Sequence, residues 1–164
     1  MIVGDEIETG GLTDEQLFVA LYPSLRRLAA VVGPPGVHPD DLVQEALARR
    51  LAIGPLAALD DAGPYLRRTI VNLARNRRRS LRRAARADGL LRSDADHRDA
   101  SYPSDLADLA RLTPRQRGAL YLHHVEGWSF AEVGSQLGCS EDAARKAASR
   151  GRKLLATSLR EEEA

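Results

Sequence analysis

Helix-start signals recur along the whole sequence and constrain the fold more than any other feature. The segments 13–16, 113–116 and 129–132 each begin with Thr or Ser and end with Gln or Glu. This is the spacing of a capping box, which satisfies the first free N–H groups of a helix. The segment Pro39-Asp40-Asp41 places proline and two acids in the first turn of another helix. Strand-like alternation of polar and apolar residues is absent, so the sequence predicts an all-α fold.

The predicted helices fall into two groups. The first group covers about 13–32, 39–53 and 63–87, and the second begins with a helix starting at Ser104. The segment 88–104 between them is short, polar and without periodicity, which is typical of a linker. We therefore expect two small helical domains joined by a flexible linker. The expected division is an acidic N-terminal tail over 1–12, a helical domain over 13–87, the linker over 88–104 and a second domain over 105–160.

Positive charge is concentrated in the middle of the chain, although the whole carries a formal net charge of only +1. Residues 1–64 hold 4 arginines and 10 acids, residues 65–98 hold 11 arginines and 3 acids, and residues 99–164 hold 9 bases and 10 acids. Such asymmetry indicates a polyanionic partner or a membrane surface. Arginine forks suit phosphates and bases, although a GC-rich genome produces the same bias toward arginine.

The helix predicted over 63–87 carries most of its arginines on one side. At 100° per residue, apolar side chains from Leu66 to Ala84 form one face, and only Arg77 points toward it. Residues 65–86 contain nine arginines and no acid, whereas solvated faces usually mix both signs. Asn reads base edges and Arg mostly anchors phosphate, so we interpret this face as a nucleic-acid surface. The alternatives are a surface for an acidic protein or a membrane, and simple solvation. We call this set the arginine ridge: Arg68, Asn72, Arg75, Asn76, Arg79, Arg82, Arg83 and Arg86.

The residues from Ser129 onward have the layout of a helix-turn-helix. Residues 129–137 predict a first helix, 138–140 a short turn containing glycine, and 141 to about 155 a recognition helix. The last helix has an alanine- and leucine-rich side for packing and a basic side that suits a major groove. The alternative is a helical hairpin that serves stability alone. The basic side holds Arg145, Lys146, Ser149, Arg152 and Lys153.

Composition argues against several other classes of protein. The single cysteine, Cys139, excludes an internal disulfide and a cysteine-based zinc finger. His123 and His124 are adjacent and cannot share a metal at the usual helical spacing. No apolar run suits a membrane span and no secretory signal is evident, so we expect no membrane insertion and a cytoplasmic protein. No residue set has a catalytic context, and we therefore expect no enzyme activity, no metal and no cofactor.

Three segments together resemble a known family. They are DDLVQEAL from Asp40, YLRRTIVNLARNRRRSLRR from Tyr65, and LTPRQRGALYLHHVEGWSFAEVGSQLGCSEDAARKAASRGRKLL from Leu112. In this order, and with the linker between them, they are similar to the extracytoplasmic-function (ECF) group of bacterial RNA polymerase sigma factors, in the sigma-70 superfamily. The resemblance implies a region 2 helical bundle followed by a region 4 helix-turn-helix.

The resemblance implies a function in transcription initiation. A sigma factor of this group binds core RNA polymerase, through the β′ clamp helices and the β flap, and directs promoter recognition. An anti-sigma factor is an expected further partner, because a free factor would compete for polymerase continuously. The residues that match polymerase-binding positions are Asp41, Gln44 and Glu45. Those that match the −10-binding region are Arg68, Asn72, Arg75, Asn76, Arg79, Arg82 and Arg83, and those for the −35 element are Arg145, Lys146, Ser149, Arg150 and Lys153.

The start of the recognition helix departs from the family pattern. Glu141-Asp142-Ala143-Ala144 stands where the family tends to have Gly-Thr-Val after one variable residue, which places an anion near the phosphates. Two other functions use the same features. A freestanding helix-turn-helix regulator would bind duplex DNA without polymerase, and an adaptor would dock an acidic protein on the arginine ridge. The freestanding regulator has no need of both DDLVQEAL and the ridge.

Overall fold

The computed structural model of the chain describes residues 11–89 and 111–162, which form α-helices and no β-strand. A 3₁₀ helix, Leu56–Ala58, and a single π-helical turn, Tyr121–Val125, complete their regular structure. The all-α prediction is therefore confirmed. Most of the predicted linker over 88–104, and most of the helix predicted from Ser104, lies outside the described residues. The helices are α1 (Asp14–Val32), α2 (Pro39–Leu51), α3 (Ala62–Ala87), α4 (Pro114–Leu120), α5 (Phe130–Leu137) and α6 (Glu141–Glu162).

The helix starts follow the capping signals of the sequence. Before α1, the Thr13 hydroxyl accepts from the Gln16 N–H (3.2 Å), and the Gln16 side chain accepts from the Thr13 N–H (3.0 Å). The boxes before α4 and α5 form in the same way. Pro39 lies in the first turn of α2, and the cap before it is His38, whose Nδ1 accepts from the Asp40 N–H (3.3 Å). These bonds satisfy backbone donors that a helix start leaves free.

The first three helices pack into one bundle around leucine side chains. Leu42, Val43 and Ala46 of α2 are buried, as their spacing predicts, while Asp41 and Gln44 are exposed. Burial of this apolar area is the main stabilising contribution to the bundle. The other helices contribute Leu17, Leu21, Leu25, Leu28 and Val32 from α1 and Leu66, Ile70, Leu73 and Ala74 from α3.

The second group, α4 to α6, packs directly on the first, and the buried residues of both form one continuous core. Arg117 of α4 is only 2% exposed, and its Nη2 donates to the Val32 carbonyl at the end of α1 (2.6 Å). α1 has no basic residue in its own last turn. A guanidinium from α4 therefore supplies the positive charge that the carbonyl end of a helix favours. Beside it, a Cβ on Gly118 would lie 3.3 Å from the Val32 side chain.

A hydrogen-bonded cluster joins α1 to the start of α2. The Tyr22 hydroxyl donates to Asp40 Oδ1 (2.5 Å), and Arg26 Nε donates to the same oxygen (3.0 Å). The Tyr22 hydrogen bond is the main cause that lowers the pKa of Asp40 below its ordinary value, with Arg26 and His38 acting in the same direction. A carboxylate with a lowered folded-state pKa stabilises the fold above its unfolded pKa. That contribution is lost as pH falls through the folded value.

Replacing Tyr22 with Phe should raise the pKa of Asp40 toward the ordinary aspartate value of about 3.9. The folded and unfolded values then approach each other, so the variant should lose less stability than the wild type on acidification. Titration of the Asp40 carboxyl by NMR, with urea unfolding at neutral and acidic pH, measures both effects. Tyr65→Phe is the control, because that ring contacts Arg50 rather than Asp40. An unchanged Asp40 pKa in Tyr22→Phe would contradict the assignment.

Candidate nucleic-acid interface

Most of the arginine ridge lies on the C-terminal half of α3, beyond its packed portion. Up to Ala74 the predicted apolar face is buried, but Leu81 is 48% exposed and Ala84 is also exposed. The apolar face is therefore buried only as far as Ala74, because the bundle does not extend to the last turns of the helix. Asn72 and Asn76 are exposed one turn apart at the boundary between the two halves.

The ridge borders a cleft of about 300 Å³ between α3 and the start of α4. Thr113 and Pro114 form its other wall, and within the described part of the chain no acidic side chain lines it. Several guanidinium groups in one cleft create a positive potential that attracts a polyanion, and each fork fits phosphate oxygens. The arginines that line it are Arg75, Arg78, Arg79, Arg82, Arg83 and Arg86.

Arg68 is separated from the rest of the ridge by its contacts. Its Nη2 donates to the Ser135 carbonyl of α5 (2.9 Å). Its side chain also covers Gly138, where an added Cβ would lie 2.8 Å from Arg68 Nε. Gly138 has a φ of +66°, a left-handed conformation that favours glycine at a helix end. In this arrangement Arg68 contacts the turn of the helix-turn-helix while it remains exposed to solvent.

Arg67 is a second link between the two helical groups, and the sequence patterns did not single it out. Its side chain is 8% exposed, with Nη1 donating to Gln136 Oε1 (3.3 Å) and Nη2 to Ser24 Oγ (3.4 Å). Its guanidinium carbon lies 5.1 Å from the centroid of the Trp128 ring, a cation–π distance. At 100° per residue it lies just outside the apolar face of α3, so helical spacing assigned it no role.

The helix-turn-helix has the predicted boundaries at its turn. α5 ends at Leu137, Gly138 follows in the left-handed conformation, and the Ser140 hydroxyl accepts from the Ala143 N–H (3.1 Å) as the cap of α6. Ala144 is fully buried where α6 packs on α5. α6 itself continues to Glu162, beyond the end near residue 155 that the sequence predicted. The turn therefore fixes the orientation of a long recognition helix.

The first two turns of α6 carry paired acids and bases on the exposed side. Arg145 Nη2 donates to Glu141 Oε1 (2.5 Å), and Lys146 Nζ lies 2.7 Å from Asp142 Oδ2. The bond from Lys146 lowers the pKa of Asp142 below its ordinary value. Exposed helical pairs of this kind contribute only about 0.3–0.5 kcal/mol each to stability. Of the other residues predicted for the −35 element, Ser149 is half-buried, and Arg150 and Lys153 are exposed.

A stack of rings supports Arg145 from below. Its guanidinium carbon lies 5.5 Å from the Phe130 ring centroid, and Phe130 stacks on His123 with centroids 3.9 Å apart and planes inclined by 20°. His123 Nδ1 lies 2.6 Å from the Trp128 carbonyl oxygen. Because a carbonyl only accepts, this ring nitrogen carries the hydrogen. This stack could not be predicted from the sequence, since its members come from three separate elements.

The residues predicted to bind polymerase occupy two different environments. Asp41 and Gln44 are exposed on α2. Glu45 is half-buried and accepts hydrogen bonds from Arg49 (2.7 Å) and from Arg77 of α3 (3.0 Å). Burial raises the pKa of Glu45, but the bonds from Arg77 and Arg49 outweigh it and hold the pKa below its ordinary value. Glu45 therefore also joins α2 to α3.

Over the described ranges 11–89 and 111–162, no three His, Cys, Asp or Glu side chains are grouped to hold a metal ion. No helix in these ranges combines the length and apolar character of a membrane span. Cys139 is half-buried in the turn, with a free thiol.

Comparison with known proteins relates most of the chain to bacterial sigma factors. It is 34% identical over 148 residues to the RNA polymerase sigma factor CarQ of Myxococcus xanthus, a match that covers 84% of this chain and 83% of CarQ. The family model of sigma-70 region 4 matches residues 109–155. The structure also aligns with the sigma factor RpoE of Bartonella quintana, crystallised in complex with the anti-sigma factor NepR. That alignment has a TM-score of 0.64 at 24% identity, covers 89% of this chain and 96% of the other, and shows a shared fold.

The extent of the sequence relationship decides between the candidate families. A match over 148 residues includes both helical groups, whereas a freestanding helix-turn-helix regulator would share only the second. The arginine ridge, the helix-turn-helix and the order of the two groups all agree with this relationship. The chain belongs to the ECF group of the sigma-70 family of RNA polymerase sigma factors.

Proposed function

We propose that this sigma factor binds core RNA polymerase through α2, places α3 on the −10 element and places α6 on the −35 element of a promoter. The observation that supports this most is the presence of two cationic helix surfaces on two different helical groups, α3 in the first and α6 in the second. The protein contributes recognition and no catalytic chemistry of its own. Because its polymerase works on chromosomal DNA, its place of action is the cytoplasm.

The two surfaces contribute differently to promoter choice. Arginines around the cleft contact phosphates, which position the protein and carry no direct sequence information. Asn72 and Asn76 on α3 read bases of the −10 element, and the basic side of α6 reads base edges in a major groove. Each phosphate neutralised on B-form DNA contributes a slope of about −0.9 to log K against log salt, and about −0.7 on a single strand. Promoter affinity should therefore fall steeply with salt.

Arg145→Ala and Arg83→Ala should have different effects on transcription. Gel filtration with core polymerase first establishes that each variant forms holoenzyme, and run-off transcription on genomic DNA then compares promoters. Arg83→Ala should weaken all promoters alike and reduce the salt slope by about one phosphate contact. Arg145→Ala should change the order of promoter strengths. A uniform loss from both variants would contradict the proposed division, and failure of the wild type to bind polymerase would contradict the function itself.

Replacing Asp41 and Gln44 together with Ala should reduce polymerase binding at least about tenfold, the scale of a lost interface hot spot. Both side chains are exposed on α2, so the fold should not change. Co-elution with core polymerase and direct titration measure the loss. Glu45 is not substituted in this variant, because its removal would also break the hydrogen bond that joins α2 to Arg77 of α3. Glu15→Ala on α1 is the control, since it removes an exposed acid from another helix. Equal binding by both variants would remove α2 from the proposed interface.

Promoter spacing requires the two helical groups to separate. The −10 and −35 elements lie about 25 base pairs apart, which is about 85 Å of duplex at 3.4 Å per base pair. A compact chain of this length has a radius of gyration of about 15 Å. Arg68 is also engaged with the Ser135 carbonyl in the packed arrangement. We therefore propose that the packed arrangement, with α4 to α6 against α1 to α3, is the resting form of the protein. Polymerase and promoter bind a form in which these two groups are separated.

An anti-sigma factor would stabilise a form of the protein that does not bind polymerase. RpoE, whose fold this chain shares along most of its length, was crystallised with the anti-sigma factor NepR. By analogy we propose that a partner of this kind binds the packed arrangement, in which α3 and α5 are already in contact. A ligand shifts a conformational equilibrium only by its difference in affinity for the two states, so such a partner needs a surface formed by both groups.

Arg67→Ala combined with Arg117→Ala should weaken the packed arrangement. Hydrogen bonds from charged groups contribute about 1.5–3 kcal/mol each, so the equilibrium should shift by tenfold or more toward separation. Small-angle scattering should show a larger radius of gyration, and polymerase should bind more tightly, because less free energy is spent on opening. Arg49→Ala, which removes a pair within the first group, is the control for scattering. Unchanged dimensions together with unchanged polymerase affinity would contradict the proposal.

A further inference from the structure

We propose that Glu141 and Arg145 act as one unit that reads a single G·C base pair of the −35 element. Arg145 donates to the guanine, and Glu141 accepts from the cytosine. This inference rests on the proposed function of α6 and adds the identity of a base pair to it. It also gives Glu141 a direct role in recognition, although its charge alone would weaken binding to phosphates.

The position of the pair on α6 suits base contacts. Glu141 is the first residue of the helix and Arg145 lies one turn later. Recognition helices contact base edges mainly with their N-terminal residues. The two side chains are 51% and 59% exposed, so neither needs to leave the core to reach DNA. The buried side of α6 is formed elsewhere, by Ala144, Ala147 and Ala148.

The chemistry of the pair matches the major-groove edge of one base pair. Guanine presents two acceptors, O6 and N7, which fit the guanidinium fork of Arg145, and its partner cytosine presents the N4 donor, which fits a carboxylate. Because Arg145 Nη2 and Glu141 Oε1 are 2.5 Å apart, donors and acceptor already lie side by side. An A·T pair offers only one acceptor on adenine, and an exchanged C·G pair reverses the positions of donor and acceptors. The pair therefore favours one base pair in one orientation.

The ring stack makes Arg145 a pre-organised reader. A free arginine side chain loses rotamer entropy when it becomes fixed. Here the guanidinium of Arg145 lies over the face of the Phe130 ring, and its Nη2 donates to Glu141. Phe130 in turn stacks on His123, which is bonded to the Trp128 carbonyl. Phe130 and His123 act as positioning residues, because they fix Arg145 without any contact to DNA of their own.

The neighbouring pair on the same helix provides an internal comparison. Lys146 and Asp142 are also one turn apart, and their side chains are more exposed, at 65% and 69%. Lysine is a point charge without the planar fork that reads guanine. Neither residue belongs to the aromatic contacts that Phe130 makes. We therefore expect Lys146 to contribute to phosphate attraction and Asp142 to contribute little to base choice.

The experiment uses holoenzyme, reconstituted from core polymerase and the full chain, on a promoter library randomised over the −35 element. Sequencing of the transcripts gives the base preference at each position for wild type, Glu141→Ala, Arg145→Ala and the double variant. Both single variants should lose preference for G·C at the same position by about tenfold or more, the scale of one lost bidentate contact. The double variant should lose no more than either single variant, because the two residues act as one unit.

Three controls distinguish base recognition by Glu141 and Arg145 from a general effect of charge or of folding. Asp142→Ala should leave that base preference unchanged. Phe130→Leu should reduce the preference while Phe130→Tyr, which keeps the ring face, should restore it. Co-elution of every variant with core polymerase verifies that it is folded and bound.

The outcomes distinguish failure of the inference from failure of the proposed function. If Glu141→Ala binds all promoters more tightly with the same base preference, Glu141 only repels phosphates and the inference is wrong. It is also wrong if the two variants change preference at different positions, or if Asp142→Ala has the same effect as Glu141→Ala. If wild-type holoenzyme gives no −35-dependent transcripts at all, the proposed function of α6 fails instead.

Discussion

A buried guanidinium needs acceptors inside the protein, because leaving such a charge unpaired costs several kcal/mol. Arg117 meets this requirement at the carbonyl end of α1, where it donates to Val32. The end of α1 has no cation of its own, so the interaction serves both partners. Gly118 follows directly and lets α4 approach the Val32 side chain. Together with the hydrogen bonds of Arg67 and Arg68 to α5, this contact holds the helix-turn-helix against the first three helices.

Features that depend on neighbouring residues in the sequence were predictable, whereas features that depend on contacts between distant residues were not. The capping boxes and the left-handed Gly138 form within four residues, so local chemistry decides them. Periodicity also identified the apolar face of α3, but it could not show that the bundle leaves Leu81 of that face exposed. The hydrogen bonds of Arg67 and Arg117 join residues 43 to 85 positions apart, which no local pattern encodes.

The candidate DNA-binding site shows the same division. The sequence located the arginine ridge and the basic side of α6, since both follow from helical spacing. From the sequence alone, Glu141 is a departure from the family pattern that brings an anion near phosphates. The structure places this carboxylate against Arg145 and places Phe130 beneath the same guanidinium. The sequence shows that Glu141 is negatively charged. It does not show that Glu141 and Phe130 hold the same guanidinium, because that depends on how α5 packs on α6.

In the proposed function, Arg68 couples the packing of the two groups to DNA binding. It lies on the ridge side of α3, yet its guanidinium donates to the Ser135 carbonyl in the packed arrangement. One guanidinium does not hold that carbonyl and a distant phosphate at once, so the two interactions compete. The apparent promoter affinity then equals the intrinsic affinity multiplied by the fraction of molecules whose two groups are separated. In the same proposal, the contacts of Arg67 and Arg117 lower that fraction, so basal activity depends on residues outside both proposed recognition surfaces.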